Sequence, residues 1–260
     1  MHTHRVSERD YIILLTVLFV ISIYCFTKSF YNLLDQKDHR LIIAFGDSLT
    51  EGLHNWPKSR KFHPYTVKLQ ELIDNHIKGS NSKLKITVEN YGLSGERLTQ
   101  TMKDRLRKIN QDRKVDLAII LAGTNDLVDW YNNKQHDTSE LDRILIDLQV
   151  LHLQCYYSGR KTVALTIPET KLDERDNNGS FARARKWLNE QLETFAYKSK
   201  NSLLIDIASR IPRTKNNTRL WDDGLHLTPE GYDKMGELVY QGIQRHIALW
   251  ISNYDRFFDT

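Results

Sequence analysis

The chain of 260 residues is 40% hydrophobic and 27% charged, which is typical of a globular protein and excludes an intrinsically disordered one. Its formal net charge is only +4, so charge does not indicate a nucleic-acid partner. The two cysteines form no C-x-x-C pair and the ten histidines form no H-E-x-x-H motif, so neither a disulfide framework nor a metal site is predicted.

An apolar segment lies near the start of the chain. Tyr11 to Phe26 carries no charge, and its 16 residues lie between the ~7–15 of a cleaved signal and the ~20 of a spanning helix. Extension to Leu34 reaches spanning length if Lys28 turns toward the lipid headgroups. We therefore predict that residues 1–34 are a signal-anchor, transmembrane through residues 11–34, and that residues 35–260 form one domain. The alternatives are a cleaved signal peptide and a buried core helix.

Two N-x-[ST] triplets, at Asn178 and Asn216, lie in polar stretches. Such triplets can accept N-linked glycans only where the domain faces the secretory lumen. Basic residues on the two sides of the apolar segment are similar in number and do not define its orientation. The triplets therefore favour a single-pass membrane protein with a lumenal or extracellular domain, or a secreted protein if the segment is cleaved.

Five short apolar runs in the rest of the chain predict β-strands. Most are rich in Val, Ile and Leu without alternation, as expected of parallel strands that are covered on both faces. The second run alternates and is predicted to lie nearer a sheet edge. The predicted strands are Leu41–Phe45, Leu84–Val88, Val115–Leu121, Thr162–Ile167 and Leu203–Ile207.

Helical patterns separate these strands and follow the last one. Hydrophobic residues at spacings of three and four predict amphipathic helices, and the basic stretch 103–114 is typical of a solvated helix face. The βαβ alternation predicts an α/β fold, a doubly wound parallel sheet of about five strands between two layers of helices. The predicted helices are Tyr65–Ile77, Leu98–Ile109, Ser139–Tyr157, Ala182–Lys198 and Pro229–Trp250.

In such sheets ligands bind beyond the carboxyl ends of the strands, so the loops there are the candidate site. The letters GDSL at 46–49 follow the first strand, where Ser48 would enter a helix or turn among outward-pointing backbone N–H groups. Considered alone, this serine is equally well explained as a helix N-cap or turn residue.

Two further loops offer hydrogen-bond donors. The letters NYGLSG at 90–95 contain glycines, which allow close approach of backbone N–H to a ligand but also serve in plain turns. The letters GTND at 123–126 offer the amide of Asn125, although Asn is also a common loop residue.

The letters WDDGLHLTP at 221–229 place Asp223 three residues before His226. A carboxylate at this spacing can accept from Nδ1–H of the imidazole and leave Nε2 free as a base. A nucleophile, neutral donors and an oriented base would thus share one edge of the sheet.

In their order and their residues, these four blocks resemble those of the SGNH (GDSL-type) hydrolase family, over roughly residues 40 to 250. The resemblance implies a serine-dependent esterase or lipase that needs no cofactor and no metal. By the same resemblance Ser48 is the nucleophile, His226 the general base and Asp223 its orienter. The implied oxyanion donors are the N–H of Ser48, the N–H of Gly95 and the amide of Asn125.

Two of these assignments have competitors in the sequence. Gly92 could replace Gly95 as the donor. Asp222 could compete with Asp223, although a spacing of three residues to the histidine is the family pattern.

The resemblance implies a small-molecule or lipid-like acyl substrate, bound as a carboxylic ester or thioester. O-acetylated sugars, short-chain esters, lysophospholipids and acyl thioesters all fit, and the loops 53–63 and 124–138 are predicted to form the pocket walls. An acyltransferase that uses the same site is one alternative. A non-catalytic binding module on this fold is another, and it predicts a lost Ser, His or Asn where none is lost.

Overall fold

The computed structural model of the protein describes residues 17–24, 38–133 and 137–258. Seven strands lie within these residues: β1 (His39–Gly46), β2 (Leu53–His54), β3 (Lys61–Phe62), β4 (Lys85–Gly92), β5 (Leu117–Leu121), β6 (Lys161–Leu165) and β7 (Ser202–Ile205). Five of them form an all-parallel sheet in the order β4-β1-β5-β6-β7, and β2 and β3 form a short antiparallel hairpin. The predicted parallel sheet of five strands is confirmed.

Helices connect the strands of the sheet on both of its faces. A π-helical turn at Leu98–Met102 runs directly into one helix, and a 3₁₀ turn at Lys215–Leu220 precedes the last loop. The α-helices that follow β1 are α1 (Ser48–Glu51), α2 (Tyr65–Gly79), α3 (Lys103–Asp112), α4 (Thr124–Asn132), α5 (Thr138–Tyr157), α6 (Lys171–Arg175), α7 (Ser180–Lys198), α8 (Ile207–Arg210) and α9 (Pro229–Phe258).

Strand β1 shows why the sheet has two hydrophobic layers. Ile42 and Ala44 face the layer that contains α2 and α9, whereas Ile43 and Phe45 face the layer formed by α3, α4, α5 and α7. All four side chains are fully buried. Because both faces of the strand are covered, its sequence is a continuous apolar run rather than an alternating one.

Strand β4 lies at the edge of the sheet, as its alternating sequence predicts. One side of an edge strand leaves backbone groups without a neighbouring strand. Here the side chain of Gln70, on α2, accepts from the N–H of Val88 at 2.7 Å and donates to the carbonyl of Ile86 at 2.9 Å. The amide group thus takes the place of a sixth strand at this point.

Two predicted boundaries near the site are wrong. Strand β4 continues past Val88 to Gly92, because its ladder with β1 extends until Gly46 pairs with Gly92. The predicted loop 124–138 begins as helix α4, whose Leu127 and Trp130 are buried against the second hydrophobic layer. Pairing and packing with distant segments decide both elements, and neither is visible in the local sequence.

Only residues 17–24 of the predicted anchor are described, and they are helical. The rest of segment 11–34 lies outside the described residues. Among the residues that the structure describes, no helix combines the length and apolarity needed to cross a membrane. The signal-anchor and the domain boundary at 34/35 therefore stay predictions.

Candidate active site

Ser48 lies where β1 ends and α1 begins. The side chain of Asp47 caps this helix by accepting from the N–H of Leu49 at 3.0 Å, and Ser48 is the first helical residue. Ser48 is 4% exposed, and its Oγ lies 2.9 Å from Nε2 of His226. The serine hydroxyl is therefore held against an imidazole at the carboxyl edge of the sheet.

His226 is oriented from its other side by Asp223. Nδ1 of the imidazole lies 2.8 Å from Oδ2 of Asp223, while Oδ1 accepts from the backbone N–H of Leu225 at 2.6 Å and of His226 at 2.7 Å. An ionised carboxylate can only accept hydrogen bonds, so Nδ1 carries the proton and Nε2 faces the serine as an acceptor. This arrangement can increase the nucleophilicity of a hydroxyl.

Hydrogen bonds to the carboxylate of Asp223 stabilise its ionised form. Partial burial acts to raise the pKa of its carboxyl group, but hydrogen bonds from the His226 ring, the His226 N–H and the Leu225 N–H outweigh burial. The pKa of Asp223 therefore lies below its usual value. The carboxylate stays ionised at neutral pH and keeps the imidazole in one tautomer.

Asp222, the competing carboxylate, makes a different contact. Its Oδ2 accepts from the backbone N–H of Asn55 at 2.5 Å, and its own N–H donates to the carbonyl of His226 at 2.9 Å. The side chain thus links the segment that carries the β2–β3 hairpin to the loop of His226. Of the two neighbouring carboxylates, the structure places Asp223 against the imidazole.

The two candidate glycines also differ in geometry. The N–H of Gly92 donates to Oδ1 of Asn90 at 2.8 Å, and a Cβ at Gly92 would lie only 2.0 Å from the backbone nitrogen of Glu51. Gly95 has a φ of +78°, and its N–H donates to no other group within the part of the chain that the structure describes. Gly95 is therefore the glycine whose N–H is available to a ligand.

Asn125 lies in the first turn of α4, beside the same loop. Its Nδ2 donates to the carbonyl of Glu96 at 3.0 Å. An amide nitrogen carries two hydrogens, so one remains for a ligand. The next residue, Asp126, accepts from the N–H groups of Leu98 at 2.9 Å and Thr99 at 3.1 Å, and so fixes α4 against the segment after Gly95.

Three charged residues near the site were not predicted. Asp47, the residue before Ser48, is buried, and burial raises the pKa of its carboxyl to about 7 despite a hydrogen bond from the Leu49 N–H. Its signal in the sequence is a charge that lies two residues after the end of the apolar run Leu41–Phe45. Glu96 is buried as well, and it pairs with Arg105, which comes from the stretch predicted to be a solvated helix face.

Metal coordination has no candidate among the described residues, because no group of three or more His, Cys, Asp or Glu side chains is suitably arranged there. Cys155 is buried and reduced, and burial raises the pKa of its thiol to about 11.

Solved structures of several hydrolases share the fold. An acetylxylan esterase from Geobacillus stearothermophilus superposes with a TM-score of 0.59 at 18% identity, over 78% of this chain and 94% of that chain. A carbohydrate acetylesterase from Sinorhizobium meliloti gives 0.60 at 19% identity, over 79% and 99%. A GDSL-like lipase from Bacteroides thetaiotaomicron gives 0.56 at 19% identity, over 82% and 90%. At these identities the likeness shows the fold.

The family follows from the sequence itself. No curated protein matches the chain. Residues 44–234, however, match the family model of the GDSL-like Lipase/Acylhydrolase family. This stretch covers most of the chain and includes Ser48, Gly95, Asn125, Asp223 and His226. The protein therefore belongs to the GDSL-like lipase/acylhydrolase family and is an ester hydrolase.

Proposed function

We propose that the protein hydrolyses carboxylic esters or thioesters through a covalent acyl-enzyme formed on Ser48. The single observation that carries the proposal is the hydrogen-bonded series from the Ser48 hydroxyl through His226 to Asp223, at 2.9 and 2.8 Å. These distances are within the range in which a base can remove the proton of a nucleophile.

In the first half-reaction, Nε2 of His226 takes the proton of Ser48 while Oγ bonds to the carbonyl carbon of the substrate. The carbonyl π electrons move to the oxygen, which becomes an oxyanion. Asp223 stabilises the imidazolium that forms, since its carboxylate already accepts from Nδ1. The imidazolium then donates its proton to the leaving alcohol or thiol as the bond between the acyl carbon and that group breaks.

In the second half-reaction, water replaces the alcohol. His226 removes a proton from water as its oxygen bonds to the acyl carbon, and it returns the proton to Oγ of Ser48 as the acyl–serine bond breaks. A carboxylic acid leaves, and the enzyme returns to its starting state. The cycle requires no cofactor.

The proposed oxyanion hole consists of the N–H of Ser48, the N–H of Gly95 and the amide of Asn125. Two features support it: the free N–H of Gly95 and the remaining hydrogen of the Asn125 amide. A preorganised donor of this kind is often worth about 3–4 kcal/mol to the transition state. The contribution is large because such donors need not reorganise as the negative charge develops.

We further propose that the walls of the acyl site come from the hairpin segment 53–63. Trp56 and Phe62 on this segment are 51% and 47% exposed, and the bond from Asn55 to Asp222 attaches it beside the loop of His226. Two large apolar side chains exposed on one short segment are suited to contact an acyl chain. Hydrolysis of p-nitrophenyl esters from acetate to palmitate would define the acyl preference, and Trp56→Ala should change KM along that series.

The test of the proposed reaction is hydrolysis of p-nitrophenyl acetate by the wild type, Ser48→Ala and His226→Ala. We expect both variants to lose on the order of 10⁴–10⁶ in kcat, because removal of the nucleophile or of the base disables the same step. Retained activity in folded Ser48→Ala protein would contradict the proposal.

Placement in the cell is a separate proposal. We propose that residues 11–34 anchor the protein in a membrane with the hydrolase domain lumenal or extracellular. Asn178, the first residue of one N-x-[ST] triplet, is exposed in the turn before α7, where a glycan would be accommodated. Expression in a secretory system should give membrane-bound protein whose mass falls on deglycosylation, and the double variant Asn178→Gln/Asn216→Gln should abolish that shift. A glycan-free protein that carbonate extracts from the membrane would contradict this placement.

A further inference from the structure

Arg105 reaches from helix α3 to the carboxyl edge of the sheet. Its Nη1 donates to the carbonyl of Tyr91 at 2.7 Å, and its Nη2 donates to the carbonyl of Gly46 at 3.1 Å. These carbonyls belong to residues at the carboxyl ends of β4 and β1, the two strands that lead to the Gly95 loop and to Ser48. One guanidinium thus holds the ends of two neighbouring strands.

The same guanidinium binds the side chain of Glu96. Nε donates to both carboxylate oxygens at 3.0 Å each, and Nη2 also donates to Oε2. Thr101 donates a further hydrogen bond to Oε1 at 2.7 Å. The Glu96 side chain is only 2% exposed, so its charge depends on these partners rather than on water.

The backbone of Glu96 adjoins two of the proposed oxyanion donors. It directly follows Gly95, and its carbonyl accepts from the amide of Asn125 at 3.0 Å. The backbone of Glu96 therefore sets the position of one proposed donor and the orientation of another. Its side chain is in turn fixed by Arg105.

We propose that Arg105 is a positioning residue of the hydrolytic site, which it serves by holding the segments that carry the N–H of Ser48, the N–H of Gly95 and the amide of Asn125 in one arrangement. The inference rests on the proposed function. Oxyanion donors act only when they lie about 2.7–3.1 Å from the developing charge, so a small displacement of the segments is enough to reduce the rate.

Lysine at this position would keep the positive charge but lose the planar fork. An ammonium on a flexible chain cannot bind the two carbonyls and the carboxylate in the same geometry. We therefore expect Arg105→Lys to lower kcat about 10- to 100-fold, the range for a displacement of up to about 1 Å. KM should change less than about 3-fold, because the donors bind the transition state more than the ground state.

A matched control is available in Arg160, at the opposite end of the sheet. Its guanidinium also donates to backbone carbonyls, those of Asn110 at 2.7 Å and Val115 at 3.2 Å, but it contacts no residue of the site. Arg160→Lys should lower the Tm as Arg105→Lys does and leave kcat unchanged. A purely structural role of Arg105 predicts that the two variants behave alike.

The measurement is kcat and KM for p-nitrophenyl acetate, with kcat expressed per site labelled to completion by a fluorophosphonate. Normalisation removes any loss that comes from unfolded protein. If Arg105→Lys does not fold, Glu96→Gln tests the same link, since it keeps the shape of the side chain and removes the charge; we expect a similar loss of kcat. In the double variant the losses should be less than additive, because both substitutions break one unit.

Unchanged kcat per labelled site in Arg105→Lys or Glu96→Gln would overturn the positioning role, as would a change in KM alone. The proposed function fails separately, since its failure would show as a wild type that neither hydrolyses the ester nor reacts with the fluorophosphonate.

Discussion

The neighbouring carboxylates Asp222 and Asp223 provide the sharpest test of the assigned roles, because replacing either one with Asn removes one negative charge from the same loop. In Asp223→Asn, Oδ1 can still accept from the backbone N–H groups of Leu225 and His226. The amide nitrogen then faces Nδ1 of the imidazole, where the carboxylate accepted at 2.8 Å. An amide nitrogen only donates, so Nδ1 must become the acceptor and the proton moves to Nε2.

This tautomer cannot take the proton of Ser48, because the nitrogen 2.9 Å from Oγ now carries its own proton. A wrong tautomer in a Ser-His-Asp triad lowers kcat by about 10⁴. We expect a loss of about 10³–10⁴ in kcat for Asp223→Asn, equivalent to about 4–5.5 kcal/mol in the activation free energy. In Asp222→Asn, an amide oxygen can still accept from the N–H of Asn55, so kcat should change less than about 3-fold.

The assay is steady-state hydrolysis of p-nitrophenyl acetate by both variants, with circular dichroism as the control for folding. The two variants have the same net charge and carry their substitutions at adjacent positions, so a difference between them reports the contact with the imidazole. A silent Asp223→Asn together with a severe Asp222→Asn would show that the orienting carboxylate is Asp222, contrary to the geometry.

Three further outcomes follow from the site. Asn125→Ala should lower kcat about 10²–10³-fold with little change in KM, and a rise in KM at constant kcat would contradict its role as an oxyanion donor. Gly95→Ala should lower kcat, because a φ of +78° disfavours a side chain by about 1–2 kcal/mol. The added Cβ would meet nothing within 4 Å, so the effect would come from the backbone conformation. Gly79→Ala is equally open but has no positive φ, and it should have no effect on kinetics. Asp47 binds its proton more tightly in the folded protein, with a pKa of about 7 against 3.8 when unfolded, so between these values rising pH lowers the free energy of unfolding by up to about 1.4 kcal/mol per unit. In thermal melts, the Tm of Asp47→Asn should therefore fall less than that of the wild type between pH 5 and pH 7. Parallel curves of Tm against pH for the two proteins would contradict the buried, protonated carboxyl.

The sheet was predictable because burial on both faces gives the inner strands a sequence pattern that is easily recognised. Strands such as β1 are uninterrupted apolar runs, and the alternation of Leu84–Val88 indicated the edge position that β4 occupies. The end of β4 was not predictable, because it is decided by the ladder to Gly46. Helix α4 was missed since its apolar residues, Leu127 and Trp130, form too short a pattern to indicate a helix by themselves.

The candidate site was predictable from its four blocks, but its support was not. Asp222 accepts from the backbone N–H of Asn55, which lies 167 residues away in the sequence, and no local pattern indicates this contact. Arg105 was hidden in a basic, amphipathic helix, where a charged residue usually faces water. Its acceptors on Gly46, Tyr91 and Glu96 come from segments that only the fold brings together.

We propose that Ser48 is a nucleophile made reactive by His226. The most direct test of this proposal is treatment of the purified full-length chain with a fluorophosphonate, followed by mass spectrometry of the peptides. We expect one stoichiometric adduct on Ser48 in the wild type, no adduct in Ser48→Ala, and much slower labelling in His226→Ala. An unlabelled wild type, or an adduct on any other residue that persists in Ser48→Ala, would contradict it.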